Sequence, residues 1–261
     1  MRDLFPESEA KVAEWSSMPE VLGVIMTGSK SLGHEDELSD DDLEVFFTEE
    51  AFAGIAPARC HEYLVEGEGA SARVVYDALY TTISEFKQKI DSPRDLDHWP
   101  YESARVIFDR TGEVHEAVDR AARMDPDFRR ARLLHATVDA WAAQRRAAKT
   151  RRRGGDMAVR LVLARGVKAL SRVLFALEWR WVPLDHWLEA ELSTLEDPSG
   201  AGRLLIEALA LNRPEPLAEA LDRLEDPLYD EGVARPSGRI ALFLELIHPS
   251  RVRERREHGL Y

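Results

Sequence analysis

Two textures of hydrophobic patterning follow one another along the chain. As far as residue 124, short apolar runs alternate with polar breaks, a pattern of strands joined by turns and a few helices. Pro6 to Ser17 reads as an amphipathic helix, with Ala10, Val12, Ala13 and Trp15 as its apolar candidates, ending before Pro19. Val21-Leu22-Gly23-Val24-Ile25-Met26 is a continuous apolar run and predicts a buried strand. A Thr27-to-Lys30 turn and a polar stretch lead from it to a second strand, Leu43 to Phe47. The segment Glu49 to Cys60 is ambiguous, and Pro57 breaks any helix in it. Strands are then predicted at His61 to Glu66, Ser71 to Ile83 and Ala104 to Phe108, the second leading into a helix near Ser84 with capping chemistry. Pro93 and Pro100 bracket an irregular stretch, Asp109 to Gly112 turns, and Glu113 to Arg123 is helical in pattern.

From Asp125-Pro126 onward strand patterns almost vanish. Helical spacing continues to the end, punctuated at Gly154-Gly155, Pro183, Pro198 to Gly202, Pro214 to Pro216 and Pro236 to Gly238, which predicts four or five helices. The expectation is an α+β protein with domains at 1–124 and 125–261: a mixed sheet followed by an all-helical bundle. No internal repeat or low-complexity tract interrupts either part.

The first candidate chemistry lies between the opening pair of strands. Ser39-Asp40-Asp41-Asp42 runs into the second strand, and in extended backbone Asp40 and Asp42 project to one side while Asp41 projects to the other. Two carboxylates aimed at one point repel unless a cation separates them, and Mg2+, a hard ion with oxygen ligands, is the natural guest. Upstream, Gly28 and Ser29 let a phosphate approach the backbone. Together, Gly28-Ser29, the spacer, and Ser39-Asp40-x-Asp42 between two strands resemble the signature of the nucleotidyltransferase superfamily, with its polymerase-beta-like fold. The resemblance is nearest to aminoglycoside- and lincosamide-type members with a helical C-terminal domain. It implies that Gly28 and Ser29, with Lys30 and Ser39 beside them, bind a nucleoside triphosphate, and that Asp40 and Asp42 hold the metal. It also implies an acceptor bound between the two domains.

Asp77 interrupts the apolar strand Val74 to Tyr80, where an unpartnered carboxylate is costly. The superfamily places a third carboxylate in such a context, as metal ligand or as base for the acceptor hydroxyl. Glu85 is its rival for that role, Glu44 a weak third ligand on the face of Asp40 and Asp42, and Asp41 is read as a solvent residue. Lys30 is balanced between a phosphate contact and an ordinary surface lysine.

Between Arg145 and Arg172 there are ten Lys or Arg and one acid, Asp156, a tract from which one or two side chains are expected to serve a triphosphate, the alternative being a solvated face. Leu161, Leu163, Leu170, Val173 and Leu174 are read as its buried stripe. Arg153-Gly154-Gly155-Asp156 and Trp181 to Leu188 resemble a helical-domain pattern in part of the superfamily, with His186 where that pattern has lysine. Trp179, Trp181 and Trp187 offer a stacking surface or, by a narrow margin, core.

Composition narrows the partners. The net charge of −13 weighs against a nucleic-acid partner, although the basic tract keeps a local patch open. Cys60 is the single cysteine, which rules out an intramolecular disulfide. No histidine pair has metal-ligand spacing on one helix, and neither a P-loop nor a serine-hydrolase elbow is present. With no signal-peptide pattern and no apolar run long enough for a bilayer, the expected address is the cytoplasm, with no membrane partner. The reading that results is a Mg2+-dependent nucleotidyltransferase that moves AMP from ATP onto a hydroxyl of a small molecule. Its rivals are a transferase acting on tRNA or protein, and a catalytically idle nucleotide-binding module.

Overall fold

Strand pairing gathers the apolar runs of the first part into one mixed sheet. Its strands are β1 (Val21–Thr27), β2 (Asp41–Phe47), β3 (His61–Glu66), β4 (Arg73–Thr82) and β5 (Arg105–Asp109), in the order β3-β4-β2-β1-β5. Only β2 and β4 run parallel; the other neighbours are antiparallel. The computed structural model describes residues 4–259. They form two compact units, one running as far as Ser92 and including Asp97–Arg123, the other made of Pro93–Leu96 with the chain from Met124 onward.

In the first unit both faces of the sheet centre are covered, which is why β1 and β2 read as nearly unbroken apolar runs. On one face, Val24, Met26, Leu43 and Val45 pack with Val12 and Trp15 of α1 (Pro6–Ser17). On the other, Ile25 and Phe46 pack with Phe86 and with Val114, Ala117, Val118 and Ala121. Phe86 lies on α4 (Ile83–Lys87) and the last four on α5 (Glu113–Ala122); in chain order α4 and α5 follow two short helices, α2 (Gly28–Leu32) and α3 (Glu49–Ala53). Thus the expected Thr27–Lys30 turn opens a helical turn, and the ambiguous segment holds α3 and a 3-10 turn at Pro57–Arg59. Thr82, rather than Ser84, caps α4, because β4 ends there and its hydroxyl accepts from the Glu85 amide.

The second unit is wholly helical, so the chain is α+β. Its helices are α6 (Pro126–Arg152), α7 (Asp156–Leu177), α8 (Leu188–Leu192), α9 (Ala201–Ala210), α10 (Pro214–Arg223), α11 (Glu225–Asp230), α12 (Arg239–Leu246) and α13 (Val252–His258). Asp125 caps α6 by accepting from the amides of Asp127 and Phe128, with Pro126 in the first turn. Among the described residues there are eight helices against the four or five expected. The additional breaks include the one where α10 gives way to α11 at Leu224, since Pro227 has no N–H for the Arg223 carbonyl, and the end of α11 before Gly232, whose φ is +82°.

Pro93–Leu96 joins this unit through Asp95. Its carboxylate accepts from Arg132 at 2.7 Å, Arg172 at 3.2 Å and the Val182 amide at 3.3 Å. Burial alone would raise Asp95, but the two guanidiniums overcome it and hold the carboxylate below its usual range. The expected buried stripe of α7 holds for Leu163, Leu170, Val173 and Leu174, whereas Leu161 is 59% exposed. The tryptophans divide: Trp181 is core, Trp187 half-buried, and Trp179 exposed with the Arg129 guanidinium 4.4 Å from its ring.

Candidate functional site

The site is built where β1 ends beside the start of β2. Thr27 is the register partner of Asp42, so the next residue, Gly28, turns the chain directly over the Asp42 side chain. Gly28 has a φ of +71°, and a Cβ there would lie 1.7 Å from Asp42 Oδ2. Only glycine therefore allows backbone and carboxylate to approach this closely. Ser29 is buried in the first turn of α2, and Ser31 Oγ donates to the Gly28 carbonyl at 2.9 Å while lying 3.3 Å from Ser103 Oγ.

Across the parallel pair, Asp42 is in register with Asp77, which puts both side chains on one face. Asp40 stands just before the strand, on the same side by alternation. Burial and the charges of Asp77 and Asp41 raise the Asp40 carboxyl. Asp42 is pushed up to about 7, first by burial and then by the charges of Asp40, Asp77 and Asp41. Asp77 accepts a hydrogen bond from His61 Nε2.

This arrangement fits Mg2+ in one specific sense. Among the described residues no three His, Cys, Asp or Glu side chains are already gathered into a metal cage. Mg2+ does not require one, because it commonly uses one or two carboxylates and completes its shell with water and substrate phosphates. Asp40 and Asp42 are half-buried hard-oxygen donors whose repulsion a divalent cation would relieve.

Other expected members sit elsewhere. Asp41 points to the opposite face, as alternation requires, but that face is core under α1 and the residue is fully buried. Lys30, read as a phosphate contact or a surface lysine, is buried with its ammonium 2.6 Å from Asp41 Oδ1, and Asp41 Oδ2 accepts from the Phe5 amide at 2.9 Å. Ser39 is held in a local turn by Asp36, whose amide donates to Ser39 Oγ at 3.0 Å. Glu44 does share the face of Asp42, yet it accepts from Tyr101 at 2.6 Å and from Lys89 at 3.2 Å. Glu85 follows Thr82, five strand positions beyond Asp77, which is roughly 17 Å along β4. Of the two rival carboxylates, Asp77 is the one beside Asp42.

The basic tract belongs to the second unit, and several of its members are already engaged. Arg172 is bound to Asp95, Lys168 to Asp185 at 2.7 Å and Arg151 to Asp156 at 2.8 Å, while Arg152, Arg153 and Arg160 are exposed. Sequence reasoning missed the pairing of His61 with Asp77. The alternation of β3 was legible and placed His61 and Tyr63 on one face, but not the register that sets them against Asp77.

A family model described as a domain of unknown function (DUF4037) matches residues 99–188. No curated protein matches the chain. Among solved structures, the chain is similar to a nucleotidyltransferase-like protein from Exiguobacterium sibiricum 255-15, at 15% identity and a TM-score of 0.43, over 95% of this chain and 86% of that one. No helix among the described residues is long and apolar enough to cross a membrane.

Proposed function

We propose that this chain is a Mg2+-dependent nucleotidyltransferase that moves a nucleoside monophosphate, AMP from ATP, onto a hydroxyl of a small acceptor. The observation that carries the reading is the packing of Gly28 against Asp42, with Asp77 in register on the same face. It brings backbone within contact of the Asp42 carboxylate, whose charged neighbours Asp40, Asp77 and Asp41 are all acids. Asp40 and Asp42 hold the metal, and Gly28 and Ser29 receive the triphosphate. Mg2+, when bound, supplies charge neutralisation for the attacking and leaving oxygens. Asp77 completes the metal shell or takes the acceptor's proton. The acceptor oxygen bonds to the α-phosphorus as the bond to the bridging oxygen breaks, and pyrophosphate leaves with that electron pair.

The acceptor class to which the sequence resemblance points is an aminoglycoside- or lincosamide-like compound. Arg151, Lys168 and Arg172 are engaged with acids of the same unit, and a net charge of −13 repels a polyanion from the rest of the surface, which favours the small acceptor. The test is label transfer from each α-labelled nucleoside triphosphate, with Mg2+, to pooled small molecules, tRNA and protein. Label on a small molecule, lost in Asp40→Asn and Asp42→Asn, is the expected result. Full activity in either variant overturns the reading.

A further inference from the structure

The face of the sheet that carries Asp42 is covered over only part of its width. Over β1 and β2, Ile25 and Phe46 lie beneath Phe86, Val114 and Val118. Over β3 and β4 the same face is open: Tyr63 is 63% exposed, Leu79 44%, and the His61 side chain 53%. Register accounts for the grouping. Tyr63 lies opposite Asp77 and His61 opposite Leu79, so these four side chains share a face. Asp77 in turn adjoins Asp42 across the parallel pair.

A single exposed Tyr or Leu is ordinary. Here an aromatic ring, an aliphatic side chain and an imidazole border the carboxylates of Asp42 and Asp77 on that face. The rings of His61 and Tyr63 lie 5.9 Å apart at an angle of 55°, and His61 donates from Nε2 to Asp77 Oδ1. With Oδ1 engaged by His61, Oδ2 is the oxygen left to take a proton.

From this geometry we infer that the open β3–β4 face is the acceptor shelf. Tyr63 and Leu79 seat the apolar face of a compact, ring-borne hydroxyl compound, and His61 is a positioning residue that aims Asp77. The inference rests on the nucleotidyl transfer proposed above and adds to it where the acceptor sits and what shape it has. Aromatic rings bind the C–H faces of sugar and cyclitol rings through apolar contact that carries no charge requirement. Asp40, Asp42 and Asp77 beside the shelf, in a chain of net charge −13, select a neutral or cationic acceptor over a polyphosphate backbone. In the step itself the acceptor O–H gives its proton to Asp77 Oδ2 as its oxygen bonds to the α-phosphorus. Pyrophosphate leaves with the electrons of the broken P–O bond.

Two readouts separate this inference from the reading beneath it. Stabilisation by Mg–ATP in a thermal melt reports the triphosphate site alone. Label transfer from α-labelled ATP to a pool of cyclitols, amino sugars and nucleosides reports the acceptor. The expected result is that the wild type labels a ring compound and that Tyr63→Ala raises the KM for that compound about tenfold or more, the loss of one aromatic stacking contact. The Mg–ATP melting shift and the KM for ATP stay where they were. His61→Ala lowers kcat with the acceptor KM unchanged, and His61→Gln, which keeps an N–H donor, recovers part of the rate. Tyr63 is exposed, so its variant tests contact rather than folding. A wild type that is stabilised by Mg–ATP yet labels only RNA or protein, or nothing in the pool, overturns the shelf and leaves the triphosphate site standing. Tyr63→Ala with an unchanged acceptor KM also overturns it. No stabilisation by Mg–ATP at all defeats the underlying reading instead.

Discussion

Replacing Asp42 by Asn should make the metal-free protein more stable, although it destroys the proposed site. In the folded chain the Asp42 carboxyl rises from 3.8 to about 7, because burial and the charges of Asp40, Asp77 and Asp41 oppose its ionisation. At about 1.4 kcal/mol per pH unit, this sets a ceiling of ~4 kcal/mol on the cost of ionising it in place. The cost is shared among carboxylates that titrate together, so about 2 kcal/mol is the working figure, or roughly 4–8 °C in Tm. The sign follows from the direction of the shift. A carboxyl raised in the folded state contributes stability below its unfolded value of 3.8 and loses it as pH rises through about 7. Asn carries no charge at either pH, so the variant escapes that loss.

The assay is a thermal melt of both proteins in EDTA at pH 5 and pH 8, then at pH 8 with millimolar Mg2+ and ATP. The advantage of Asp42→Asn should be large at pH 8 and smaller at pH 5. Adding Mg2+ and ATP should stabilise the wild type and not the variant, and nucleotide transfer by the variant should fall roughly 100-fold or more. The variant-minus-wild-type difference is the quantity to follow, because groups elsewhere titrate in both proteins alike. A variant no more stable than the wild type at pH 8 in EDTA would refute the electrostatic account of this cluster.

Lys30→Met should cost about 3–5 kcal/mol by stranding the buried Asp41, and Lys30→Met/Asp41→Asn should recover most of it while keeping Mg–ATP affinity. A stable double variant that has lost that affinity would return Lys30 to the phosphate site. Asp95→Asn should cost the helical unit about 3–5 kcal/mol, seen in its chemical-denaturation midpoint, by leaving Arg132 and Arg172 without their shared carboxylate. Asp95 is held low when folded, so its contribution is present above the unfolded value of 3.8 and disappears as pH falls below it, where the two proteins should converge. His258 is lowered from 6.5 to about 4, first by burial and then by Arg132 and His135, so its neutral ring supports the fold above pH 6.5 and loses that support as pH falls toward about 4. Hydrogen exchange should show α13 loosening over that interval, and His258→Phe, which keeps the ring against Phe128, should flatten the dependence.

What could be read from the sequence, and what could not, follows from how far each determinant lies along the chain. The strand–turn–strand unit around Gly28 and Asp42 was legible because its parts are local: an apolar run, two small residues and alternating carboxylates. Asp77 was legible because a charge inside an apolar strand requires a partner wherever that partner comes from. Alternation also sent Asp41 to the correct side. It carried no information about what covers that side, and the residue became core because α1, from the far end of the same unit, lies over it. Lys30 shared its fate, since an ammonium next to a buried carboxylate is held more firmly than one offered to solvent. Asp95 looked like part of an irregular proline-bracketed stretch, and its partners stand 37 and 77 residues away.

The same reasoning explains why His61 escaped notice. Its strand has the alternating pattern of an edge, which gives the direction of each side chain but leaves the register undetermined, and a shift of one residue would send His61 and Tyr63 to the opposite face. Register here is set by pairing with β4, where Tyr63 meets Asp77 and His61 meets Leu79. Chemistry written into one segment can therefore be found by inspection of that segment. Chemistry written across two strands becomes visible only when the strands are paired: Asp40 and Asp42 are of the first kind, and the meeting of Asp77 with Asp42 and of Tyr63 with Asp77 is of the second.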